Sequence, residues 1–452
     1  MVLKIGIVGG GATGLTAGYE LVKKGHDVTV FESLAEVGGL VRGIKVGTQL
    51  LERFYHHIFT SDNDLINLIE EVGLGADLHW YKPTNAFYTN RHLYPFTTPI
   101  DLLLFKELSF SQRIALGLLV YKARLVNDWH QLEQITAKDW LISKAGQAVY
   151  DRVWGPLLYF KFDVDAEKIS AAWLWNKFKL RGSTRGKGQS RELLGYMTGS
   201  FTRVYEKLAL EITGRGGQIL NQKPVNRIFL NSAQKITVCS NEYQEDFDKV
   251  IVTLAPVEFL KLVPDLPSID RRKLEQIQYK ANICMLLQLN QSLSPYYWSS
   301  VAQTDLPFVA MVEHTNLVPK DQYDGVILYL SRYLDANDPL FSETDETIQS
   351  IFFMGLKQVF PEWEGVKTVR NMVITRARYS QPVIPLNYSQ IRPTFQTAIP
   401  GLFMANMAQI YPEDRGQNYA IRIGKEVAEC VSQKRETSFN NQQSIGKCAS
   451  SS

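Results

Sequence analysis

The fold is decided by residues 4–15, which read KIGIVGGGATGL. The apolar run Lys4–Val8 predicts a short strand. Leu15–Lys24 predicts a helix, because Gly25 lies just past its end. A second apolar run, Val28–Phe31, predicts the next strand. We therefore expect a strand–helix–strand unit at the start of an α/β fold with a parallel sheet.

The glycines of this turn match the pattern G-x-G-x-x-G, in the required position between a strand and a helix. Gly9 permits the tight turn, Gly11 permits the backbone to approach a pyrophosphate, and Gly14 permits close packing of the helix on the strand. Ala12 and Thr13 belong to this turn, directly before the helix, whose N-terminal N–H groups favour an anion. These five residues predict a Rossmann-type dinucleotide-binding domain; a turn of purely structural use is the alternative.

Glu32 ends the second predicted strand, about 20 residues after the glycine turn. An acidic side chain at this position accepts hydrogen bonds from ribose hydroxyls, and its charge would repel a 2′-phosphate. The unit fits NAD and FAD equally, so the residues up to this point leave the cofactor open.

Composition and charge exclude several classes of protein. The chain has 452 residues, enough for two or three lobes, and its 45% hydrophobic content is typical of a folded globular protein. The net charge is only +3, too small for a nucleic-acid-binding surface. No stretch reaches the roughly 20 apolar residues of a membrane span. We also expect no secretory signal, because the first strand begins at once.

The four cysteines, Cys239, Cys284, Cys430 and Cys448, lie far apart and form no C-x-x-C pair. This spacing favours neither a metal site nor a disulfide framework, and it is typical of a reducing compartment. We therefore expect a cytoplasmic protein that binds no metal.

The residues after Glu32 carry a resemblance that selects the cofactor. Residues 33–42 read SLAEVGGLVR, and the doublet of Gly38 and Gly39 would let a second backbone segment reach the dinucleotide. This segment resembles the motif that follows the Rossmann unit in the superfamily of FAD-dependent amine oxidases, protoporphyrinogen oxidases and carotenoid desaturases. The resemblance implies bound FAD. That superfamily usually has Arg directly after the doublet, and here Arg42 is the candidate for the positive charge.

Two later segments extend the resemblance. Residues 216–228 resemble the segment in which a valine backbone meets the adenine, and the corresponding residue here is Val225. Residues 401–406 resemble the closing strand of the cofactor domain. The superfamily commonly ends that strand in an acidic residue, whereas this chain has Asn406, whose amide can still hydrogen-bond a hydroxyl.

Residues 414–420, DRGQNYA, resemble the turn into the last helix of the superfamily. The resemblance implies that Asn418, Tyr419 and Ala420 lie at the flavin ring. The helix N-terminus would there stabilise negative charge on the reduced pyrimidine portion.

A narrower resemblance concerns residues 55–62, YHHIFTSD, which are similar to the His-Ile-Phe segment of UDP-galactopyranose mutases. It implies that His57 lies beside the isoalloxazine, where an imidazole could hydrogen-bond the ring or exchange a proton with substrate. A packed or solvent-facing histidine without a chemical role is the alternative. We expect His56 to point away, because adjacent side chains of an extended segment face opposite sides.

The order of predicted elements indicates a discontinuous FAD-binding domain and a second, substrate domain. We expect the FAD-binding domain to be assembled from residues 1–80, 200–270 and 395–432. The substrate domain would combine a helical cap at 81–199 with a mixed sheet at 271–394. Residues 433–452 are polar and predicted to be disordered.

The predicted cap helix Ser109–Val126 is apolar with flanking Lys and Arg residues. We expect it to pack within the cap; the alternative is contact with a membrane surface, which would admit a lipophilic substrate.

These features predict an FAD-dependent oxidoreductase that removes hydride from a C–N or C–C bond of a small molecule, with reoxidation by oxygen or another acceptor. One alternative is a redox-neutral nucleotide-sugar mutase, suggested by the His57 segment. A flavin-binding subunit without turnover is another, because fold alone does not prove chemistry. The sequence identifies neither the substrate nor the oligomeric state.

Overall fold

A computed structural model of the protein describes residues 1–47, 49–183, 192–241 and 243–433, without the side chains of 181–183. Its strands are β1 Lys4–Val8, β2 Asp27–Phe31, β3 Gly43–Val46, β4 Gln49–Glu52, β5 Ile58–Phe59, β6 Leu78–Tyr81, β7 Asn85–Thr89, β8 His92–Pro95, β9 Leu194–Met197, β10 Gln218–Leu220, β11 Arg227–Leu230, β12 Ile236–Ser240, β13 Tyr243–Phe247, β14 Lys249–Val252, β15 Tyr279–Leu289, β16 Trp298–Val301, β17 Ala310–Glu313, β18 Val326–Leu334, β19 Val369–Pro382 and β20 Leu402–Met404. The tail predicted to be disordered lies outside the described residues, apart from Gln433.

Fifteen α-helices connect these strands or follow them within the described residues. They are α1 Ala12–Lys23, α2 Asn63–Glu71, α3 Pro99–Leu104, α4 Phe110–Ala123, α5 Ala137–Ala145, α6 Gln147–Val149, α7 Gly155–Phe162, α8 Ala171–Ser183, α9 Thr202–Gly214, α10 Pro256–Leu262, α11 Ser268–Glu275, α12 Pro339–Ser342, α13 Asp345–Val359, α14 Tyr388–Ile391 and α15 Gln417–Ser432.

A five-stranded parallel sheet has the order β10–β2–β1–β14–β20. Apolar side chains of α1, α9 and α15 pack on one face, and the antiparallel sheet β11–β12–β13 packs on the other. Because β1 is central, the glycine turn at its carboxyl end opens in the middle of one sheet edge. The predicted strand–helix–strand unit and α/β class are therefore confirmed.

A seven-stranded mixed sheet has the order β19–β15–β18–β17–β16–β7–β8. Its strands are antiparallel except for the parallel pair β16–β7. The region 81–199, predicted to form a helical cap, also contains β7 and β8, which form a hairpin within this sheet. Asn90 and Arg91 make the connection with φ values of 47° and 59°, so the turn uses left-handed residues without a glycine.

Helices α3 to α8 form the cap around a core that includes Trp140, Trp173 and Trp175. Helix α4 buries Leu116 and Leu119 in this core, as expected for packing within the cap. It also leaves Phe110 and Tyr121 exposed, by 69% and 59%. Within the described ranges, no helix is long and apolar enough to cross a membrane.

Candidate functional site

The three glycines of the turn have different surroundings. A Cβ added to Gly14 would lie 2.0 Å from the Gly9 carbonyl oxygen, and one added to Gly9, whose φ is 109°, would lie 2.4 Å from the Thr253 hydroxyl. Both positions therefore require glycine for the turn itself. A Cβ on Gly11 would meet nothing closer than the Gly39 Cα, at 3.8 Å. Gly11 lines the cavity, and a Cβ there would make only an ordinary contact with its neighbour.

A second glycine segment lies directly against this turn. The Gly38 N–H donates to the Gly10 carbonyl oxygen at 2.8 Å, and Gly38 has a φ of 110°. A Cβ on Gly39 would lie 3.1 Å from the Gly11 Cα, so the two backbones can approach this closely because Gly39 lacks a side chain. Arg42 does not line the cavity, and its buried Nε has no hydrogen-bond partner among the described residues.

Glu32 lines the cavity and also stabilises the turn. Its Oε2 accepts the Gly10 N–H at 2.9 Å, and its Oε1 accepts the Leu34 N–H at 2.9 Å. The Lys223 N–H donates to the Glu32 carbonyl oxygen at 2.9 Å, which brings the chain before Val225 next to this residue. Val225 itself does not line the cavity. The carboxylate predicted to bind ribose thus already has a structural role.

A cavity of about 730 Å³ extends from the glycine turn to the seven-stranded sheet and the cap. It brings together most of the residues singled out in the sequence: Gly9, Gly11, Ala12, Thr13, Glu32, Gly38, Gly39, His57, Asn406, Asn418, Tyr419 and Ala420. Gly14, Arg42 and Val225 lie outside its wall. Trp154 and Trp173 of the cap, with Trp298 of the sheet, give the far part of the cavity an aromatic lining.

The N-terminus of α15 faces the cavity. Its N-cap, Gly416, provides no side-chain cap, so the first N–H groups of the helix have no partner from that residue. Gln417 lines the cavity, and its buried Nε2 has no hydrogen-bond partner within the described part of the chain. The Asn418 Oδ1 accepts the Leu65 N–H at 3.1 Å and fixes this helix end against α2. An acceptor in the cavity would satisfy these donors.

Asn406 is engaged with its surroundings. Its Oδ1 accepts the Ala408 N–H at 3.0 Å, and its Nδ2 donates to the Leu254 carbonyl oxygen at 2.9 Å. These bonds connect the end of β20 to the loop after β14. One amide hydrogen of Asn406 is left for a hydroxyl acceptor in the cavity.

His57 lies on the cavity wall between β4 and β5. Its Nδ1 is 2.8 Å from the Tyr297 hydroxyl oxygen, and its ring contacts Trp298 edge-on with centroids 6.0 Å apart. Burial raises the pKa of Tyr297 well above its usual range, so this hydroxyl stays neutral and orients the imidazole. Burial and the charge of His57 lower the pKa of the nearby His314 to about 3.

His56 also lines the cavity, so the expectation that it points away was wrong. Residues 56 and 57 precede β5 and do not belong to a strand, and the alternation of an extended segment therefore does not apply. The His56 Nδ1 lies 2.8 Å from the Phe54 carbonyl oxygen. Burial, with Arg415 nearby, lowers the pKa of His56 to about 4, so its ring is neutral at physiological pH.

The sequence reasoning missed a charged cluster in the far part of the cavity, formed by Lys161, Lys177, Asp414 and Arg415. Lys177 forms an ion pair with Asp414, and the Lys161 Nζ lies 3.8 Å from the same carboxylate. Although burial opposes ionisation, the three cations hold the pKa of Asp414 well below its usual range. Burial lowers the pKa of Lys161 and of Lys177 to about 8 each, and Arg415 contributes by repulsion.

These residues fit an extended dinucleotide. The cavity wall at Gly11, with the N-terminus of α1 at Ala12 and Thr13 behind it, suits a pyrophosphate. Glu32 lies at one end of the cavity for a ribose, and the donors of α15, including Gln417 Nε2, lie at the other end. The site therefore offers hydrogen-bond partners for a ribose, for a pyrophosphate and for an acceptor at the N-terminus of α15.

The chain is similar to a known protein family and to curated relatives. The family model described as flavin containing amine oxidoreductase matches residues 12–432. The chain is similar to the zeta-carotene desaturase of Arabidopsis thaliana, with 27% identity over 249 residues, which are 48% of this chain and 42% of the desaturase. The match thus spans less than half of that relative.

Two solved structures are similar over almost the whole chain. One, from Exiguobacterium sp. 255-15 and named as a protoporphyrinogen oxidase, has a TM-score of 0.76 and 20% identity, covering 95% of this chain and 99% of that one. The other, cyclohexylamine oxidase from Brevibacterium oxydans IH-35A, has a TM-score of 0.72 and 15% identity, covering 95% and 99%. At these identities the likeness shows the fold.

Proposed function

The chain belongs to the family of flavin-containing amine oxidoreductases, and from that premise we propose that it is an FAD-dependent oxidoreductase. Its substrate would lose a hydride and a proton from adjacent atoms of a C–C or C–N bond, leaving a double bond. The two electrons would pass to oxygen or another acceptor. The observation that carries this proposal is the continuous cavity, which joins the glycine turn to an aromatic chamber.

One end of the cavity would hold the adenosine and pyrophosphate. Glu32 would accept hydrogen bonds from the ribose hydroxyls. The N–H groups of Ala12 and Thr13 would donate hydrogen bonds to the pyrophosphate, next to Gly11. The unpartnered guanidinium nitrogen of Arg42 would add a positive charge behind the Gly38–Gly39 loop. Val225 would contribute a backbone contact at the adenine, next to Glu32.

The other end would hold the flavin ring, which supplies, when bound, a two-electron acceptor at N5. The N–H groups of Asn418 and Tyr419 would stabilise negative charge at the pyrimidine edge of the ring. Ala420 would line this end of the helix, with its own N–H donating to the Gly416 carbonyl oxygen at 3.0 Å. The remaining hydrogen of Asn406 would bond a ribityl hydroxyl. His57, oriented by Tyr297, would lie beside the central ring and exchange a proton with the substrate.

Oxidation of a C–C bond is favoured over oxidation of an amine. The aromatic part of the cavity contains three cations, Lys161, Lys177 and Arg415. The carboxylate of Asp414 interacts with all three. Such a field repels a protonated amine, because charges of the same sign a few ångströms apart destabilise each other in a low-dielectric site. The similarity to a carotene desaturase also supports this choice.

The test is spectroscopic. The purified protein is expected to be yellow and to release FAD on denaturation. Under anaerobic conditions a hydroaromatic, porphyrinogen or polyene substrate should bleach the flavin without added reductant, and alkylamines should not. Protein that carries no flavin would contradict the proposal, and flavin that only amines bleach would contradict the preference for a C–C bond.

A redox-neutral mutase is the second candidate, because His57 lies on the cavity wall. The two functions differ in their need for reductant. A mutase would act on a nucleotide sugar only after prior reduction of the flavin, and the sugar would not bleach the oxidised protein. Bound flavin with neither behaviour would favour a non-catalytic flavin-binding subunit.

The cap offers a surface for peripheral contact with a membrane. Exposed apolar side chains follow one another along α3, α4 and the adjoining turns, with Lys106 and Lys122 among them: Ile100, Leu104, Phe110, Leu118, Tyr121 and Leu125. Apolar groups flanked by lysine suit an anionic bilayer surface. Cosedimentation with phosphatidylserine-containing vesicles should fall for Phe110→Ser with Leu118→Ser. The control variant Met354→Ser, also exposed, should sediment like the parent.

A further inference from the structure

The charged cluster of Lys161, Lys177, Asp414 and Arg415 carries more positive charge than its own structure requires. Asp414 accepts hydrogen bonds from Trp173 Nε1 at 3.0 Å and from Gln381 Nε2 at 3.2 Å, in addition to its ion pair with Lys177. These partners already satisfy the carboxylate. Lys161 and Arg415 are therefore additional cations around an acid that does not need them.

An excess of buried charge is costly unless an opposite charge balances it. The depressed pKa values of Lys161 and Lys177, both about 8, express that cost. Both side chains keep part of their surface, 19% for Lys161 and 31% for Lys177, and both line the cavity. The buried Nε of Arg415 has no hydrogen-bond partner among the described residues, while its Nη2 donates to the Tyr333 hydroxyl at 2.6 Å. Within the described residues, Lys161 and Arg415 thus bring to the chamber wall more positive charge than Asp414 balances.

The walls around the cluster are apolar and aromatic. Lys161 and Lys177 lie over the Trp173 ring, with Nζ atoms 5.3 and 4.6 Å from its centroid. Leu157, Leu174 and Phe178 line the same part of the cavity. A ligand that fits has an apolar body and one charged head. The negative charge of Asp414 within the cluster favours a monoanion over a dianion.

We propose that Lys161, Lys177 and Arg415 bind the carboxylate of an apolar monocarboxylic acid, which is the substrate class of the oxidoreductase. This inference rests on the proposed function in that it places the ligand in the same cavity. Arg415 directly precedes Gly416, the N-cap of α15. The head group is thus held beside the helix end that faces the flavin, and the apolar body extends along the aromatic wall.

The test compares three probes that share one apolar body: 4-phenylbutyrate, 4-phenylbutyramide and 4-phenylbutylamine. Binding to the holoprotein is measured by calorimetry, which needs no turnover. The carboxylate should bind at least about tenfold more tightly than the amide, and the amine should bind more weakly than both. In Lys161→Met and Lys177→Met the carboxylate affinity should fall to that of the amide, while the amide affinity stays within about twofold.

Matched variants separate charge from folding. Lys177→Arg should retain the preference for the carboxylate. Lys138→Met removes an exposed cap lysine that pairs with Glu167 and should change nothing. Equal affinity of the parent protein for the carboxylate and the amide would overturn the inference. Loss of binding of both ligands in Lys177→Met, with an unchanged melting temperature, would also overturn it. If the protein holds FAD and is bleached by a neutral substrate but shows no carboxylate preference, only this inference fails. If it binds the carboxylate but no flavin, only the proposed function fails.

Discussion

Substitution of Gly11 should abolish cofactor binding while leaving the fold intact. Gly11 has a φ of −82°, which any residue can adopt, and the nearest atom to an added Cβ is 3.8 Å away. Replacing a flexible glycine by alanine stabilises a protein by about 0.4–1 kcal/mol through the unfolded chain, whereas alanine is a poorer N-cap than glycine. The two effects nearly cancel. The melting temperature of the apoprotein should therefore stay close to that of the parent.

The effect on FAD should be much larger. The new methyl group would lie on the cavity wall, 3.8 Å from the Gly39 Cα and beside the N-terminus of α1, where we place the pyrophosphate. Displacement of the phosphate weakens hydrogen bonds to a charged group, each of which contributes about 1.5–3 kcal/mol. Loss of one such bond raises the Kd by roughly 10- to 150-fold, and Gly11→Val, which is larger, should retain no flavin.

Gly14→Ala is the structural control for this experiment. Its Cβ would lie 2.0 Å from the Gly9 carbonyl oxygen, so the turn must deform even without a ligand. We expect a lower melting temperature for that apoprotein. The assay combines thermal unfolding of deflavinated protein with titration by FAD, followed by fluorescence. Parental FAD affinity in Gly11→Ala, or a loss of stability equal to that of Gly14→Ala, would refute the assignment of this part of the cavity wall to the pyrophosphate.

Three other predictions concern the two ends of the cavity and the charged cluster. Glu32→Ala should weaken FAD binding by about 1.5–3 kcal/mol and also destabilise the apoprotein, because the buried Gly10 N–H loses its acceptor; unchanged affinity in the same titration would place the ribose elsewhere. His57→Ala should keep FAD bound but shift its absorption spectrum or reduction potential and slow turnover, and Tyr297→Phe should produce a smaller shift in the same direction; identical spectra and rates in both variants would leave His57 a packing residue. Binding of 4-phenylbutyrate should weaken as the pH rises through about 8, where Lys161 and Lys177 lose their protons, whereas binding of the amide should not change. Equal pH profiles for the two probes would contradict that assignment.

The features that the sequence predicted well are local. The unit β1–α1–β2 is encoded by contiguous residues, and its observed bounds differ from the expected ones by a few residues at most. The superfamily resemblance is confirmed by the family model, which covers residues 12–432. The bounds of the two domains and the roles of the individual site residues stay predictions.

The hairpin of β7 and β8 was missed because its turn lacks the usual signal. A two-residue hairpin turn needs positive φ at both central positions, which Asn-Gly most often provides. Here Asn90 is followed by Arg91, and Arg rarely adopts that conformation. The strands are also short, of five and four residues, so their alternation is weak evidence against a helix.

The charged cluster could not be predicted from the chain alone because its members meet only in the folded protein. Lys177 and Asp414 are 237 residues apart, and Lys161 comes from a different helix of the cap. One signal was nevertheless present, since Lys161 lies between Phe160 and Phe162 in a helix that is otherwise almost entirely apolar. A lysine at such a position is either a surface residue whose stem lies on apolar groups or a buried charge that needs a partner. The glycine motif binds the pyrophosphate that all dinucleotides share, and it therefore indicates a dinucleotide cofactor. The choice of substrate depends instead on which distant charged side chains the fold brings into the chamber.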